Sequence, residues 1–304
     1  MNESMNRRSL LRGAFVAAAS TALAGPLAFD ALGAADAAAK PRLRKAVKFG
    51  MIGLKGATIE EKFALIKKIG YEGVEMDSPS GVNPAEAAAA AKKVGIEIHG
   101  VVISTHWGTR HSDPDEKVRA KAFDHLIGAL KDAKTYGAST VLLVPGVVKN
   151  QTDENFDLVW QRSTAAVKKA LPTAKELGVK IAIEVVWNNF ITSSDMLIKY
   201  VDQFNDPAVG AYFDCSNMIK YGEPSATWIR KLGKRMLKFD FKGYNGKTNK
   251  WVPIGEGTED WPEIRKALVE IGYEGWATSE VGGGGEDKLR EIAKQMDEVL
   301  GLKA

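Results

Sequence analysis

Four acidic residues lie at or near the ends of short apolar runs in the second half of the chain. Glu184 ends the run 181–184, Asp214 ends 211–214 and Glu280 ends 277–280, while Asp240 lies within the run 238–242. Carboxylates can crowd together only if a cation or protons neutralise them, so their convergence would create a metal site. Ligands that are all oxygen favour Mg²⁺, Mn²⁺ or Ca²⁺ over Zn²⁺. The expected cofactor is therefore one divalent metal ion, with Mn²⁺ or Mg²⁺ preferred.

Such a site could move protons beside a carbonyl group. A metal that holds a carbonyl oxygen and the adjacent hydroxyl stabilises the enediolate that forms when the neighbouring C–H proton leaves. Two carboxylates on opposite sides of the substrate could remove and return that proton, and Glu184 and Glu280 are the predicted pair. Lys242 shares a strand face with Asp240, and it would either lie near the oxygen that gains charge or offset the excess acid.

Each carboxylate also has a simpler interpretation, because an acidic residue at a strand end often caps the following helix. Four of them on consecutive predicted strands favour a shared site. Asp240 has a further alternative as the structural ion-pair partner of Lys238 or Lys242, with water completing the metal coordination.

The elements that would position these residues are marked by a repeated pattern. Six amphipathic runs end in a polar residue, an apolar residue and a glycine, and an apolar run then begins; the glycines are Gly70, Gly95, Gly137, Gly178, Gly233 and Gly272. Glycine is favoured just past a helix because it adopts the left-handed conformation without a Cβ clash. Helix starts are predicted at Thr58, Asn83-Pro84, Asp113-Pro114 and Asp260. Eight buried strands are predicted near 47–53, 73–77, 96–103, 139–144, 180–186, 209–214, 235–242 and 275–280.

Alternating strands and helices are typical of an α/β fold, either doubly wound or closed into a barrel. No Gly-x-Gly-x-x-Gly follows the first predicted strand, which argues against dinucleotide binding. Residues 41–304 are close to the ~250 typical of one (β/α)8 TIM barrel, so a single barrel domain is predicted there. In a barrel, the strand-end carboxylates would converge at the C-terminal face.

Residues 1–40 are predicted to be a twin-arginine export signal that is removed near Lys40. Arg7 and Arg8 precede an alanine-rich stretch at 13–24. That stretch is short of the ~20 strongly apolar residues of a membrane-spanning helix. The expected location is periplasmic or extracytoplasmic, without stable membrane insertion after signal removal. A net charge of +4 argues against nucleic acid as a partner, and the single cysteine excludes an internal disulfide.

Aromatic residues fall in the loops after the third, fifth and seventh predicted strands. Trp107, Trp187 and Trp251 could pack on the C–H faces of a sugar or serve as packed lids. His106 could contact substrate, whereas His111 in the same loop is expected to be solvated. Glu75, on the second strand, is expected to point toward the site and bind a substrate hydroxyl, or to contact the first turn of a helix.

The chain resembles the xylose isomerase-like family of sugar isomerases and epimerases over essentially all of 41–304. The resemblance rests on Glu184, Asp214 and Glu280, on 252–257 before Asp260-Trp261, and on the two Gly-Tyr-Glu-Gly segments at 70–73 and 272–275. It implies that Glu184, Asp214, the strand-seven position and Glu280 bind the metal, with the two glutamates as acid and base. The chain departs from the family at Asp240, where histidine is common, and at Asn217, where epimerases often place a substrate-binding histidine.

The predicted function is a metal-dependent isomerase or epimerase of an unphosphorylated sugar, with a small carbohydrate as its partner. The alternatives are a lyase or hydrolase that cleaves a keto-glycoside by the same proton abstraction, and a sugar-binding barrel without catalysis. The substrate-binding set comprises Glu75, His106, Trp107, Trp187, Asn217, Lys242 and Trp251. A homo-oligomer is compatible with the sequence.

Overall fold

The computed structural model describes residues 42–302, and they form a closed barrel of eight parallel strands. The strands are β1 (Leu43–Lys48), β2 (Gly73–Ser78), β3 (Glu97–Ile103), β4 (Thr140–Leu143), β5 (Lys180–Glu184), β6 (Val209–Asp214), β7 (Met236–Phe241) and β8 (Gly275–Ser279). Each strand pairs with its neighbours in chain order, and β8 closes the barrel on β1. The predicted (β/α)8 TIM barrel is confirmed.

Eight helices follow the strands. They are α1 (Ile59–Ile69), α2 (Pro84–Val94), α3 (Glu116–Tyr136), α4 (Phe156–Leu177), α5 (Ser194–Asp202), α6 (Ser225–Leu232), α7 (Trp261–Glu270) and α8 (Glu286–Leu300). A short hairpin, Tyr244–Asn245 paired with Lys250–Trp251, lies in the loop after β7. In the described residues, we find no helix whose length and apolar character would allow it to cross a bilayer.

The local sequence signals explain most helix boundaries. Thr58 forms a reciprocal capping box with Glu61, and Asn83 and Asp260 accept backbone N–H bonds at the starts of α2 and α7. Helices α1 to α4 each end at a glycine in the left-handed conformation. The cap of α3 is Asp115 rather than the predicted Asp113, because Asp113 is held in an ion pair with Arg110.

The first strand lies earlier than predicted. Lys45 and Lys48 make the segment 43–48 look like a polar surface, but both side chains are buried in ion pairs, Lys45 with Asp297 and Lys48 with Glu75. The apolar residues after Lys48 instead form a 3-10 turn, Phe49–Met51. Apolar periodicity therefore located the end of this strand and missed its body.

The faces of β7 follow the alternation of its sequence. Phe239 and Phe241 are fully buried against the surrounding helical layer, where their rings contact Tyr273 and Trp261. This packing turns Lys238 and Asp240 into the barrel, as predicted from the period of two. The hydrophobic core thus fixes the direction in which the β7 carboxylate points.

Candidate functional site

The predicted site residues gather around a cavity of about 370 Å³ at the C-terminal end of the barrel. Its lining comprises Val102, His106, Trp107, Glu184, Val186, Trp187, Asn217, Lys242, Trp251 and Glu280. Glu75, Asp214 and Asp240 lie outside this lining and are deeply buried beneath the site. Eight residues that were selected from strand ends and loops therefore share one cavity.

Three carboxylates form a compact cluster. One oxygen from each of Glu184, Asp240 and Glu280 lies within 4.8 Å of the other two. Glu184 and Asp240 are almost completely buried, whereas the side chain of Glu280 is 39% exposed at the cavity. This arrangement provides oxygen donors from β5, β7 and the end of β8, as a divalent cation would require.

Asp214 is beside the cluster but turned toward other partners. Its Oδ1 accepts the backbone N–H groups of Ser216 and Asn217 at 2.8 and 3.0 Å, and its Oδ2 contacts the Lys242 ammonium. The two backbone bonds fix the carboxylate, so only Oδ2 could join a metal. The structure brings the fourth predicted ligand near the site without placing it in the three-carboxylate cluster.

Lys242 bridges the two sides of the site. Its ammonium contacts both Asp214 and Glu280, and it lies 5.8 Å from the ring centre of Trp251. The side chain therefore neutralises acidic charge at the cavity edge while remaining partly accessible. The alternative in which Lys242 pairs with Asp240 is not the arrangement observed, because Asp240 has a different partner at the end of β1.

That partner is Lys48, a residue that the sequence reasoning missed. The Lys48 ammonium lies 2.9 Å from Asp240 Oδ2 and 2.5 Å from Glu75 Oε2, and the side chain is buried at the end of β1. Asp240 Oδ2 still makes no hydrogen bond of good geometry. Although burial alone would lower the pKa of Lys48, Asp240 and Glu75 raise it well above its usual range. The ammonium consequently stays charged and offsets the buried acids.

Glu75 belongs to this network rather than to the cavity wall. Its Oε2 also accepts the Tyr212 hydroxyl at 2.9 Å, while Oε1 is buried without a hydrogen-bond partner. Gly100 on the adjacent strand leaves the necessary space, because a Cβ there would come within 2.6 Å of Glu75 Oε1. The position of Glu75 suits support of Lys48 better than direct contact with a hydroxyl in the cavity.

The two glutamates have opposite electrostatic environments. Burial, followed by the neighbouring Glu280 carboxylate, raises the pKa of Glu184 well above its usual range. Burial also acts on Glu280, but Lys242 and Lys48 outweigh it and lower the pKa of that carboxyl group. Paired carboxylates with pKa values moved apart are suited to acid and base roles.

Asp240 is also perturbed. Burial raises its pKa to about 8, with Glu280 acting in the same direction and Lys48 opposing both. A buried carboxylate that is costly to ionise in the protein alone gains most from a nearby cation. The three-carboxylate cluster, its oxygen chemistry and the unsatisfied Asp240 Oδ2 together fit a divalent metal ion.

Aromatic side chains form one wall of the cavity. The rings of Trp187 and Trp251 stack with centroids 4.8 Å apart, and Tyr244 packs edge-on against Trp187. Trp187 Nε1 donates to the backbone oxygen of Asn217 at 2.9 Å, which ties this wall to the loop after β6. Trp107 lies in the same lining and is 55% exposed. The wall offers apolar ring surface to a ligand.

The two histidines of the loop after β3 have different surroundings. His106 Nδ1 donates to the Ile103 carbonyl oxygen at 2.6 Å, so the neutral ring has an unprotonated Nε2. His111 was expected to be solvated, and this expectation is wrong: the side chain is 4% exposed because the Arg110 ion pairs fold the loop over it. His106 lines the cavity, whereas His111 does not.

A model of the xylose isomerase-like TIM barrel family matches residues 63–299. The chain belongs to this family. The family resemblance that was inferred from the strand-end acids is thus confirmed.

Similar proteins include two curated sugar epimerases. The L-ribulose-5-phosphate 3-epimerase UlaE of Escherichia coli K12 is 23% identical over 254 residues, covering 78% of this chain and 87% of the relative. The D-psicose 3-epimerase of Ruminiclostridium cellulolyticum is 28% identical over 224 residues, covering 69% and 73%. Among solved structures, the apo form of the 3-keto-D-glucoside 4-epimerase YcjR from E. coli aligns with a TM-score of 0.73 at 16% identity, covering 84% of this chain and 98% of that one.

Proposed function

We propose that the protein is a metal-dependent isomerase or epimerase of an unphosphorylated sugar, which transfers a proton at the carbon beside a carbonyl group. The observation that carries the proposal is the Glu184, Asp240 and Glu280 cluster at a cavity with an aromatic wall. The activities named for the two curated relatives, both sugar 3-epimerases, support the same reaction class.

The proposed metal ligands are Glu184, Asp240 and Glu280, with Asp214 Oδ2 as the fourth. Mn²⁺ or Mg²⁺ is proposed because every donor is a carboxylate oxygen. When bound, the ion would polarise the substrate carbonyl and stabilise negative charge on its oxygen. Lys48 and Lys242 hold the remaining acidic charge in balance through their contacts with Asp240, Asp214 and Glu280.

The protein residues then divide the proton transfer between them. Glu280 is partly exposed at the cavity, where its carboxylate is accessible to a substrate C–H bond, and it is assigned the role of base. Glu184 lines the same cavity from β5 and is assigned the role of the acid that returns the proton. If the proton returns to the face of the planar intermediate opposite the one it left, the configuration of that carbon is inverted, and the reaction is an epimerisation.

The loop after β8 supports an unphosphorylated substrate. The Gly284 N–H donates to the Met51 carbonyl oxygen at 3.0 Å, and the Gly53 N–H donates to Gly284 O at 2.8 Å. Helix α8 then begins with Glu286 and Asp287. An acidic first turn opposes phosphate binding at this helix N-terminus, where barrels often hold such a group.

Incubation of the metal-loaded protein in D₂O with unphosphorylated keto-sugars tests the reaction class. An isomerase or epimerase returns an intact sugar with deuterium beside its carbonyl, which NMR detects. The competing lyase or hydrolase instead releases the group attached to a keto-glycoside. Release without any intact labelled isomer would replace the proposed reaction with cleavage.

We also propose that residues 1–40 direct twin-arginine export to the periplasm or another extracytoplasmic location. These residues lie outside the described part of the chain, so the proposal rests on Arg7, Arg8 and the alanine-rich stretch that follows. Replacing both arginines with lysine should retain the protein in the cytoplasm, as measured by cell fractionation. Unchanged export of that variant would contradict the assignment.

A further inference from the structure

A second compartment adjoins the carboxylate cavity. It has a volume of about 590 Å³ and shares Lys242, Trp251 and Glu280 with the first. We propose that this compartment binds an uncharged second ring attached to the sugar, so that the substrate is a keto-glycoside. The inference rests on the proposed function, because it places the reacting sugar in the carboxylate cavity.

The lining of the second compartment defines the chemistry of its ligand. Beyond the three shared residues it consists of Gly243, Val252, Pro253, Val281 and Gly282, none of which has a charged side chain. The one ammonium at its edge, Lys242, is already engaged by Asp214 and Glu280. An anionic substituent would lose hydration here without gaining a free cation, whereas the face of a neutral ring would bury apolar surface.

Trp251 is placed to hold such a ring. The large hydrophobic residues that remain exposed within residues 42–302 are Trp107, Phe156 and Trp251, and both tryptophans line the carboxylate cavity. Trp251 is 48% exposed although it stacks on Trp187. The hairpin that carries it is anchored by the buried Glu259, whose Oε1 accepts the Tyr244 N–H at 2.7 Å. An exposed ring held in place before binding offers contact area at a low entropic cost.

The combined size of the compartments supports a two-ring ligand. Pockets for ligands of drug size span about 300–1,000 Å³, so the carboxylate cavity alone can accept one sugar ring. A ring in that cavity would meet the second compartment across Trp251 and Glu280. Because the anomeric carbon of a glycoside is bound in its acetal, the carbonyl must then be a ketone on another ring carbon.

A matched pair of ligands tests the inference by isothermal titration of the metal-loaded protein. Methyl and phenyl 3-keto-D-glucopyranosides share the keto-sugar and differ only in the attached group. Wild-type protein should bind the phenyl compound at least tenfold more tightly. Val252→Asp places a charge in the second compartment and should remove that preference, while the affinity for the methyl compound changes less than twofold. Trp251→Ala should also reduce the preference.

Val252→Thr is the control, because it is similar in size and uncharged and should keep most of the preference for the phenyl ring. Equal affinity of the wild type for the two glycosides, or no binding of either, would overturn the second-ring inference. Failure of the proposed function is measured separately: no deuterium exchange into any bound sugar would reject the isomerase or epimerase assignment even if the ring preference were present.

Discussion

Glu184 and Glu280 differ in what surrounds them although both are strand-end glutamates. Glu184 is buried next to a second carboxylate, while Glu280 is partly exposed and contacts Lys242. Neither environment follows from the residue type. The closed barrel brings the ends of β5 and β8 to one cavity with different neighbours, and this makes one glutamate a potential acid and the other a potential base.

Changing either glutamate to glutamine should remove proton transfer with little loss of shape. Activity of Glu184→Gln and of Glu280→Gln is expected to fall by roughly 100-fold or more, because each change deletes one acid–base group. Steady-state turnover, together with circular dichroism to confirm folding, measures the effect. Glu256→Gln is a control at an exposed glutamate and should be unchanged. Wild-type turnover in both site variants would move the chemistry elsewhere.

Asp240 tests the metal site. If Asp240 is a metal ligand, Asp240→Asn should weaken Mn²⁺ or Mg²⁺ binding by at least about tenfold, because a charged oxygen donor is lost. Titration calorimetry measures this affinity, and thermal unfolding of the metal-free variant reports stability. If stability changes while metal affinity stays at the wild-type value, Asp240 serves only as the partner of Lys48 and is not a ligand.

Within strands and loops, the sequence predicted which way side chains point better than it predicted which charged residues form ion pairs. The alternation in β7 correctly placed Phe239 and Phe241 against the helical layer and Asp240 inside the barrel. It could not identify Lys48 as the partner of Asp240, because β1 and β7 are separated by β8 in the barrel and by more than half of the chain in sequence. Sequence alternation predicts the face of the strand on which a side chain lies. Only the closed barrel brings Lys48 and Asp240 together.

The loop after β3 shows the same limit. Its polar sequence indicated a solvated His111, but Arg110 bonds both Asp113 and Glu154 and closes the loop over His111. Burial, with a smaller contribution from His125, lowers the pKa of His111 to about 4. The neutral imidazole is thus the form compatible with the folded loop.

This burial predicts an acid-sensitive contribution to stability. The pKa of His111 is about 4 in the folded state, below the unfolded value near 6.5. Its contribution to the free energy of unfolding is therefore fully present above about pH 6.5 and is lost as pH falls through about 4. The loss is roughly 3 kcal/mol. Comparing denaturant unfolding of the wild type and His111→Gln between pH 7 and pH 4 isolates the contribution of His111 to the free energy of unfolding. The variant should lose less stability on acidification. His125→Gln, at a more exposed histidine, should alter the slope much less; equal slopes for wild type and His111→Gln would contradict the prediction.

For the whole molecule, repeated helix-ending glycines and helix caps predicted the alternation of strands and helices, and the length of residues 41–304 with the family resemblance favoured a barrel over a doubly wound sheet. The position of the site followed from the fold, since parallel barrel strands bring their C-terminal ends to one face. The detailed charge pairing did not follow. Lys242 joins Asp214 to Glu280 and Lys48 joins Glu75 to Asp240 through contacts between different strands.

The central claim is that a divalent metal and the carboxylate cluster together enable proton transfer beside a sugar carbonyl. The most direct measurement is the rate of deuterium incorporation from D₂O into an unphosphorylated keto-sugar, compared for chelator-treated protein, the same protein after Mn²⁺ addition, and Mn²⁺-loaded Glu280→Gln. We expect incorporation with the added metal, and a loss of about 100-fold or more in the variant. Chelator-treated protein should show none. Equal incorporation in the metal-free and metal-loaded protein, or in Glu280→Gln and the wild type, would contradict the account.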